Sequence, residues 1–132
     1  MRSSSVSDKL EKPEIDFPEG EAPADLVIED IWLGDGAEAK AGDVVSVHYV
    51  GVAFSTGEEF DASWNRGSAL QFQLGVGQVI AGWDQGVQGM KVGGRRKLTI
   101  PAHLAYGSRG AGDAIGPDET LIFVCDLMKV GR

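Results

Sequence analysis

The side chains that most often carry out chemistry are few in this sequence and lie far apart. The chain has two histidines, His48 and His103, and one cysteine, Cys125. None of the three lies within a metal-ligand spacing of another, and no Gly-x-Ser-x-Gly nucleophile motif occurs. Cys125 alternates with leucine and phenylalanine, so we expect a buried apolar thiol. We expect His48 at the surface of its strand. The sequence therefore predicts no metal site, no cofactor and no covalent catalysis.

Signals for binding phosphate or nucleic acid are equally weak. The segment 75–80 begins like a dinucleotide-binding fingerprint, but Ile80 stands where the third glycine belongs. The formal net charge of −8 argues against binding nucleic acid, which requires clustered lysine and arginine. The basic cluster at residues 95–97 falls in a predicted strand. There, a solvated strand face or a blunted sheet edge is favoured over a binding patch.

Large aromatic side chains remain as the candidates for function. A core of this size does not need all of them, although Phe123 in part serves the core. Phe60 and Tyr106 lie in segments flanked by turn residues, and functional residues concentrate in such loops. The sequence thus indicates an apolar site with ring-bearing walls, drawn from Tyr49, Phe54, Phe60, Trp64, Phe72, Trp83, Tyr106 and Phe123.

Five runs of alternating or β-rich residues must position these rings. They cover residues 26–33, 44–54, 70–74, 96–100 and 121–128, and turn residues separate them. One segment has a helical period instead, because Ile80, Trp83 and Val87 fall at i, i+3 and i+7. Gly82 and Gly86 give this short helix a flat face on which a sheet can lie. We predict an α+β fold, with five antiparallel strands wrapped around one short α-helix.

The first residues have a different composition from the rest of the chain. Residues 1–24 are rich in serine, proline and acids, and we expect a disordered acidic leader followed by a domain at 25–132. Docking of Ile15 or Phe17 on the domain is the alternative. A lone cysteine forms no internal disulfide, and no apolar run is long enough to span a bilayer. We therefore expect a cytoplasmic protein, with export from a longer precursor left open.

Six ordered motifs resemble the FKBP-type peptidyl-prolyl cis-trans isomerases. They are VHYVG at 47–51, FDAS at 60–63, VIAGWDQGV at 79–87, GMKVG at 89–93, AYG at 105–107 and PDETLIF at 117–123. The resemblance extends from about residue 26 to residue 130. It implies an enzyme that accelerates rotation about peptide bonds preceding proline, without a cofactor. It also implies macrolide binding, of the rapamycin and tacrolimus type, and a monomer that acts on proline-containing peptides and flexible protein segments.

The resemblance also implies a hydrophobic site between helix and sheet. Trp83 would form its floor. Asp61 would be its polar wall residue, with Arg66 as partner, and the Ile80 N–H and Tyr106 hydroxyl would donate hydrogen bonds to carbonyl groups. The remaining walls would be Tyr49, Phe60, Phe72, Val79, Ile80, Tyr106 and Phe123.

Several positions depart from the common family pattern. Leu70 replaces a frequent aromatic residue at one edge of the site. In the loop 107–117, Ile115 is retained, but Ala111, Ala114 and Gly116 replace bulkier or stiffer residues. We expect this loop to be more mobile than in other members, which affects macrolide affinity and substrate preference.

Two questions of function stay open from the sequence. Asp61 either ties the Phe60 loop to its surroundings or contacts the substrate, and we favour both over proton transfer because the reaction has no obligatory proton. The site either catalyses isomerisation or only binds proline motifs. The joint presence of Phe60, Asp61, Trp83 and Tyr106 favours catalysis.

Overall fold

The computed structural model describes residue 15, residues 20–110 and residues 115–131. In these ranges the chain forms one antiparallel sheet with two short α-helices and two 3₁₀ turns. The strands are β1 (Val27–Trp32), β2 (Val44–Ala53), β3 (Glu59–Ala62), β4 (Leu70–Gln73), β5 (Arg95–Ile100) and β6 (Leu121–Gly131). The helices are α1 (Ser63–Arg66) and α2 (Ala81–Gly86), and the 3₁₀ turns are Ala102–Leu104 and Gly107–Arg109.

The two longest strands form the middle of the sheet. The spatial order is β1-β5-β6-β2-β3, with β4 also paired to β2. The pairing of β2 with β6 extends from Val44 opposite Gly131 to Ala53 opposite Leu121. Because side chains alternate across a strand, Val45, Val47 and Tyr49 of β2 all lie on the face towards the core. This is the face that carries the predicted rings.

Helix α2 lies directly against the inner face of β5. A Cβ atom added at Gly82 would overlap the side chain of Ile100, and one added at Gly86 would lie 2.6 Å from Cδ2 of Leu98. Ile100 and Leu98 are themselves fully buried. The two glycines therefore set the separation between helix and sheet, as their spacing in the sequence predicts.

The predicted α+β architecture is confirmed, with six strands in the sheet instead of five. The additional strand is β3, which pairs with β2 and has a register shift between Gly51 and Val52. It leads directly into α1, a helix of four residues that ends at Gly67 with a φ of 74°. Neither element is long enough to show a period in the sequence.

The side chains of Arg95 and Arg96 in the basic cluster are largely buried, which corrects the prediction of a solvated strand face. Arg95 is 8 % exposed, and its Nε donates to Oδ1 of Asp126 at 2.7 Å. The guanidinium of Arg95 also stacks on the ring of Trp32 at 4.4 Å. Arg96 pairs with Asp30 at 2.6 Å. These residues join β5 to its neighbours, so the cluster is structural.

His48 is also less exposed than predicted. Its ring stacks on Trp64 with centroids 4.3 Å apart, and its Nδ1 lies 2.8 Å from Oγ of Ser63. Burial lowers the pKa of His48, and this effect outweighs the nearby charge of Asp126, which acts to raise it. His48 therefore anchors α1 to β2.

Cys125 is fully buried, as predicted, and burial raises the pKa of its thiol.

Two sequence predictions fall mainly outside the described residues. Of the expected disordered leader, only residue 15 and residues 20–24 are described, and in the loop 107–117 residues 111–114 are not. No helix in the described ranges is long and apolar enough to cross a membrane.

The contact of α2 with the sheet predicts the effect of one substitution. We expect Gly82→Ala to lower the free energy of unfolding, because overpacking a core costs about 1–3 kcal/mol, more than the roughly 1 kcal/mol that alanine gains in a helix. Urea unfolding measures the difference. Gly116→Ala is the control, since a Cβ atom there meets nothing within 4 Å. Equal stability of Gly82→Ala and wild type would contradict the close contact.

Candidate functional site

A cavity of about 390 Å³ lies between α2 and the inner face of the sheet. Its volume is in the range of sites that hold small organic ligands. A second cavity beside Trp32 has a volume of only about 80 Å³, so the larger one is the candidate site. It is lined by Tyr49, Phe60, Asp61, Leu70, Gln78, Val79, Ile80, Trp83, Tyr106 and Phe123.

Trp83 forms the floor of the cavity and is 3 % exposed. Three rings surround it, with centroid distances of 5.0 Å to Tyr49, 5.6 Å to Phe72 and 5.2 Å to Phe123. The contacts with Tyr49 and Phe123 are edge-to-face, the arrangement that the charge distribution of aromatic rings favours. Since the three rings come from β2, β4 and β6, the floor is fixed from several strands at once.

A glycine in β2 brings two further rings together. A Cβ atom added at Gly51 would lie 2.7 Å from Phe60 and 2.7 Å from Phe123. Without that side chain, the rings of Phe60 and Phe123 approach to a centroid distance of 5.6 Å in an edge-to-face contact. The apolar wall therefore continues from β6 to β3.

Hydrogen bonds from backbone N–H groups to the side-chain carboxylate of Asp84 hold the segment that enters α2. Asp84, on the helix, accepts hydrogen bonds of 2.9 Å from both Gly75 N–H and Gly77 N–H. Gly75 and Gly77 have φ values of 83°, which glycine adopts without strain. This turn places Val79 and Ile80 at the mouth of the cavity. The Ile80 N–H has no hydrogen-bond partner among the described residues, as is normal at a helix N-terminus.

The polar wall consists of three side chains bonded to one another. The Tyr49 hydroxyl donates to Oδ2 of Asp61 at 2.5 Å, and Nη1 of Arg66 donates to Oδ1 of the same carboxylate at 2.9 Å. Nη2 of Arg66 also donates to the Tyr49 oxygen at 3.0 Å. Both carboxylate oxygens are thus engaged before any ligand binds.

These contacts determine how the polar wall titrates. Burial by itself would raise the pKa of Asp61, but the hydrogen bonds from Tyr49 and Arg66 outweigh it and hold the pKa below its ordinary value. Burial and the neighbouring carboxylate raise the pKa of Tyr49. Burial and the charge of Asp61 raise the pKa of Tyr106. At neutral pH the wall therefore carries one carboxylate and protonated phenols.

Nine of the twelve residues predicted for the site line the cavity. The other three lie close to it. Phe72 supports Trp83 from β4, Arg66 reaches Asp61 from α1, and Ile115 is 5 % exposed within the hydrophobic core. Sequence analysis missed Gln78, whose Oε1 accepts from the N–H of Gln73 at 2.8 Å. Its position just before Val79 was the available signal.

Tyr106 differs from the other rings because it is 41 % exposed. It lies between the two 3₁₀ turns that follow β5, at the rim of the cavity. A large aromatic side chain held at a rim can close over a bound ligand and offer its hydroxyl.

No cluster of three or more potential metal ligands occurs within residue 15 and the ranges 20–110 and 115–131.

Comparisons with known proteins agree with one another. Residues 36–128 match the family described as FKBP-type peptidyl-prolyl cis-trans isomerase. An FK506-binding protein of Streptomyces anulatus is 79 % identical over 122 residues, which are 92 % of this chain and 98 % of that protein. A probable FK506-binding protein of Corynebacterium glutamicum is 57 % identical over 120 residues, 91 % of this chain and 99 % of that protein.

Solved structures show the same fold. The crystal structure of AtFKBP13 has a TM-score of 0.75 and 42 % identity, and the match covers 83 % of this chain and 96 % of that one. The crystal structure of FkpA from Escherichia coli has a TM-score of 0.74 and 41 % identity, with 81 % of this chain matched to 48 % of that one. Together with the ring-lined cavity on α2, these matches show that the chain belongs to the FKBP-type peptidyl-prolyl cis-trans isomerases.

Proposed function

We propose that the cavity accelerates rotation about X-Pro bonds by removing water from the amide and fitting its twisted form. One observation carries the proposal: the site is walled by rings, and its single carboxylate is already bonded to Tyr49 and Arg66. Such a site suits a reaction that breaks no bond. The reaction needs neither a nucleophile nor a cofactor.

The barrier to this rotation arises from amide resonance. Twisting the C–N bond against a barrier of about 18–20 kcal/mol removes its partial double-bond character and makes the amide less polar. Water solvates the planar amide better than the twisted one, so a dry cavity reduces the difference between them. A rate enhancement on the order of 10⁴ requires only about 5.4 kcal/mol, which shape and a few hydrogen bonds supply.

We propose the following roles for individual side chains, on the basis of their positions in the cavity. The proline ring packs on Trp83 beside Phe60 and Phe123, and Val79 and Leu70 contact the neighbouring residues of the substrate. The Ile80 N–H and the Tyr106 hydroxyl donate to substrate carbonyl groups. Phe72, Arg66 and Ile115 support these residues from outside the cavity.

Asp61 acts as a fixed acceptor that orients Tyr49, and it does not transfer a proton. Its pKa lies below the ordinary value because Tyr49 and Arg66 donate to both of its oxygens. A general acid at neutral pH needs the opposite shift. The carboxylate therefore stabilises the cavity wall, and the chemistry depends on the apolar surface.

We further propose that the same cavity binds macrolides of the FK506 type. The relatives from Streptomyces anulatus and Corynebacterium glutamicum are named for that ligand, and the cavity combines apolar walls with donors at its rim. Physiological substrates are proline-containing peptides and flexible protein segments. We place the enzyme in the cytoplasm as a monomer, since one chain supplies every wall of the site and its cysteine is a free thiol.

The first functional prediction concerns pH. We expect kcat/KM to be nearly constant between about pH 5.5 and 8, because Asp61 has already ionised below that range. In the same assay on a proline-containing peptide, Asp61→Asn should lower kcat/KM by less than about tenfold, the value of one hydrogen bond. Asp35→Asn removes the same charge from an exposed loop and serves as the control.

The stability of the protein should follow the same titration. The folded pKa of Asp61 lies below its unfolded value of about 3.9. The contribution of Asp61 to the free energy of unfolding is therefore complete above that value and is lost only as the pH falls through the folded pKa.

Activity that follows a bell-shaped curve near neutrality, together with an inactive but folded Asp61→Asn variant, would show that Asp61 moves a proton.

The second functional prediction separates apolar surface from hydrogen bonding at the rim. Tyr106→Phe keeps the ring and should lower kcat/KM by no more than about tenfold, the value of one hydrogen bond. Tyr106→Ala removes the wall as well and should lower kcat/KM further. Since Tyr106 is 41 % exposed, both variants should fold. If the two substitutions have equal effects, the hydroxyl carries the contribution and desolvation by the ring does not.

The third functional prediction concerns macrolide binding. FK506 should inhibit peptide isomerisation competitively, because both ligands occupy the cavity above Trp83. Calorimetric titration should show one site per chain, and Phe60→Ala should weaken binding by removing one apolar wall. FK506 that binds without competing with the peptide would show that it occupies another site.

A further inference from the structure

The face of the sheet that points away from α2 is buried although it lies outside the core. This outer face comprises Val50 and Val52 of β2, Ala62 of β3, and Ile122 and Val124 of β6. Val50 lies opposite both Ala62 and Val124, and Val52 lies opposite Ile122, so the five side chains are contiguous. Their exposed fractions lie between 1 % and 4 %. Apolar side chains on a free sheet face would not be so well covered.

The described elements on this side are too small to provide that cover. Helix α1 contacts β2, but it has only four residues. The outer face extends over three neighbouring strands, β3, β2 and β6, which span about 10 Å at a spacing of about 4.8 Å. Even the indole nitrogen of Trp64, in α1, is buried, and it has no hydrogen-bond partner in the described part of the chain. The burial of this nitrogen and of the outer face therefore indicates a further layer over both α1 and the sheet.

The N-terminal leader has the sequence and length for this layer. Ile15, the one described residue before residue 20, is partly buried. Ile15 and Phe17 alternate with Glu14 and Asp16, so an extended segment here presents one apolar face and one acidic face. An acidic face suits contact with water above an apolar layer.

The path of the chain also permits it. Val27 begins β1 and pairs with Thr99 of β5, which in turn pairs with Ile122 of the outer face. Val27 follows Ile15 by twelve positions, and an extended chain of that length reaches about 40 Å. This exceeds the width of the outer face. The leader therefore enters at an edge of the face that it has to cross.

We propose that residues 14–18 pack across the outer face as an extra layer of the same chain, with Ile15 and Phe17 directed at Val50 and Val124. The leader is then part of the folded domain, unlike the solvated leader that its composition suggests. This interaction is independent of the proposed catalytic mechanism, because the cavity opens on the opposite side of the sheet. Removing the leader should expose the apolar side chains of the outer face to water.

Thiol accessibility tests the proposal directly. Val50→Cys introduces a thiol at the centre of the outer face, and its rate of alkylation is measured in the full chain and in a chain that begins at Gly20. We expect alkylation to be about tenfold or more slower in the full chain, because two apolar side chains no longer cover the thiol once the leader is removed. Native Cys125 is fully buried on the other side of β6 and reports global unfolding.

A second pair of variants keeps the leader in place. In the Val50→Cys background, Ile15→Asp together with Phe17→Asp should give the fast alkylation of the shortened chain. Ser3→Asp together with Val6→Asp adds the same charge outside residues 14–18 and should leave the slow rate unchanged. If the first pair unfolds the protein and the control pair does not, the leader also contributes to the fold, as proposed.

Two results would overturn the proposal. One is an equal alkylation rate in the full and shortened chains while both are folded. The other is protection that disappears on dilution of the full chain, which would assign the outer face to a second copy of the protein. Retained isomerase activity in the shortened chain is compatible with the proposal, because the cavity does not include the leader.

Discussion

The close contact between α2 and the sheet is the constraint on which the rest of the structure depends. The helix has only six residues, which are too few to form a stable helix in isolation. It is held because Gly82 and Gly86 allow it to approach Ile100 and Leu98 of β5. That approach places Trp83 at the base of the cavity, where rings from β2, β4 and β6 surround it. The lining of the cavity is therefore an extension of the hydrophobic core.

The polar wall, like the floor of the cavity, is already assembled in the absence of a substrate. Tyr49, Asp61 and Arg66 come from β2, β3 and α1, and their hydrogen bonds fix β3 against β2 at the edge of the sheet. A charge that is already bonded stays ionised and offers no proton near neutral pH. In the proposed mechanism, the rings that line the cavity then exclude water from the amide without exposing an unpaired carboxylate to it.

Much of this arrangement was predictable from the sequence, for identifiable reasons. Period-two alternation in the runs 44–54 and 70–74 indicates one buried face on each strand, with Val45 and Val47 on the first and Phe72 on the second, because a strand gives each face every second residue. The convergence of Tyr49, Asp61 and Tyr106 came from motif resemblance, since alternation says nothing about which strands are neighbours. The burial of Arg95 was missed because its partner, Asp126, is brought opposite it only by the register of β5 and β6.

The burial of the outer face shows that the alternation pattern of a single strand does not reveal what covers each of its faces. In the sequence, Ile122 and Val124 alternate with Phe123 and therefore lie on the opposite face of the strand. Two apolar faces on one strand already indicate cover on both sides. Strand β3 and helix α1 were missed because four residues are too few to show a period.

The central claim is that no proton moves in the rate-limiting twist of the amide. The solvent deuterium isotope effect on kcat/KM, measured with the full chain and a proline-containing peptide, tests it most directly. Desolvation and shape complementarity predict a ratio close to one for the wild type and for Asp61→Asn alike. A substantial normal isotope effect that disappears in folded Asp61→Asn would contradict the account, because it would place proton transfer from Asp61 in the transition state.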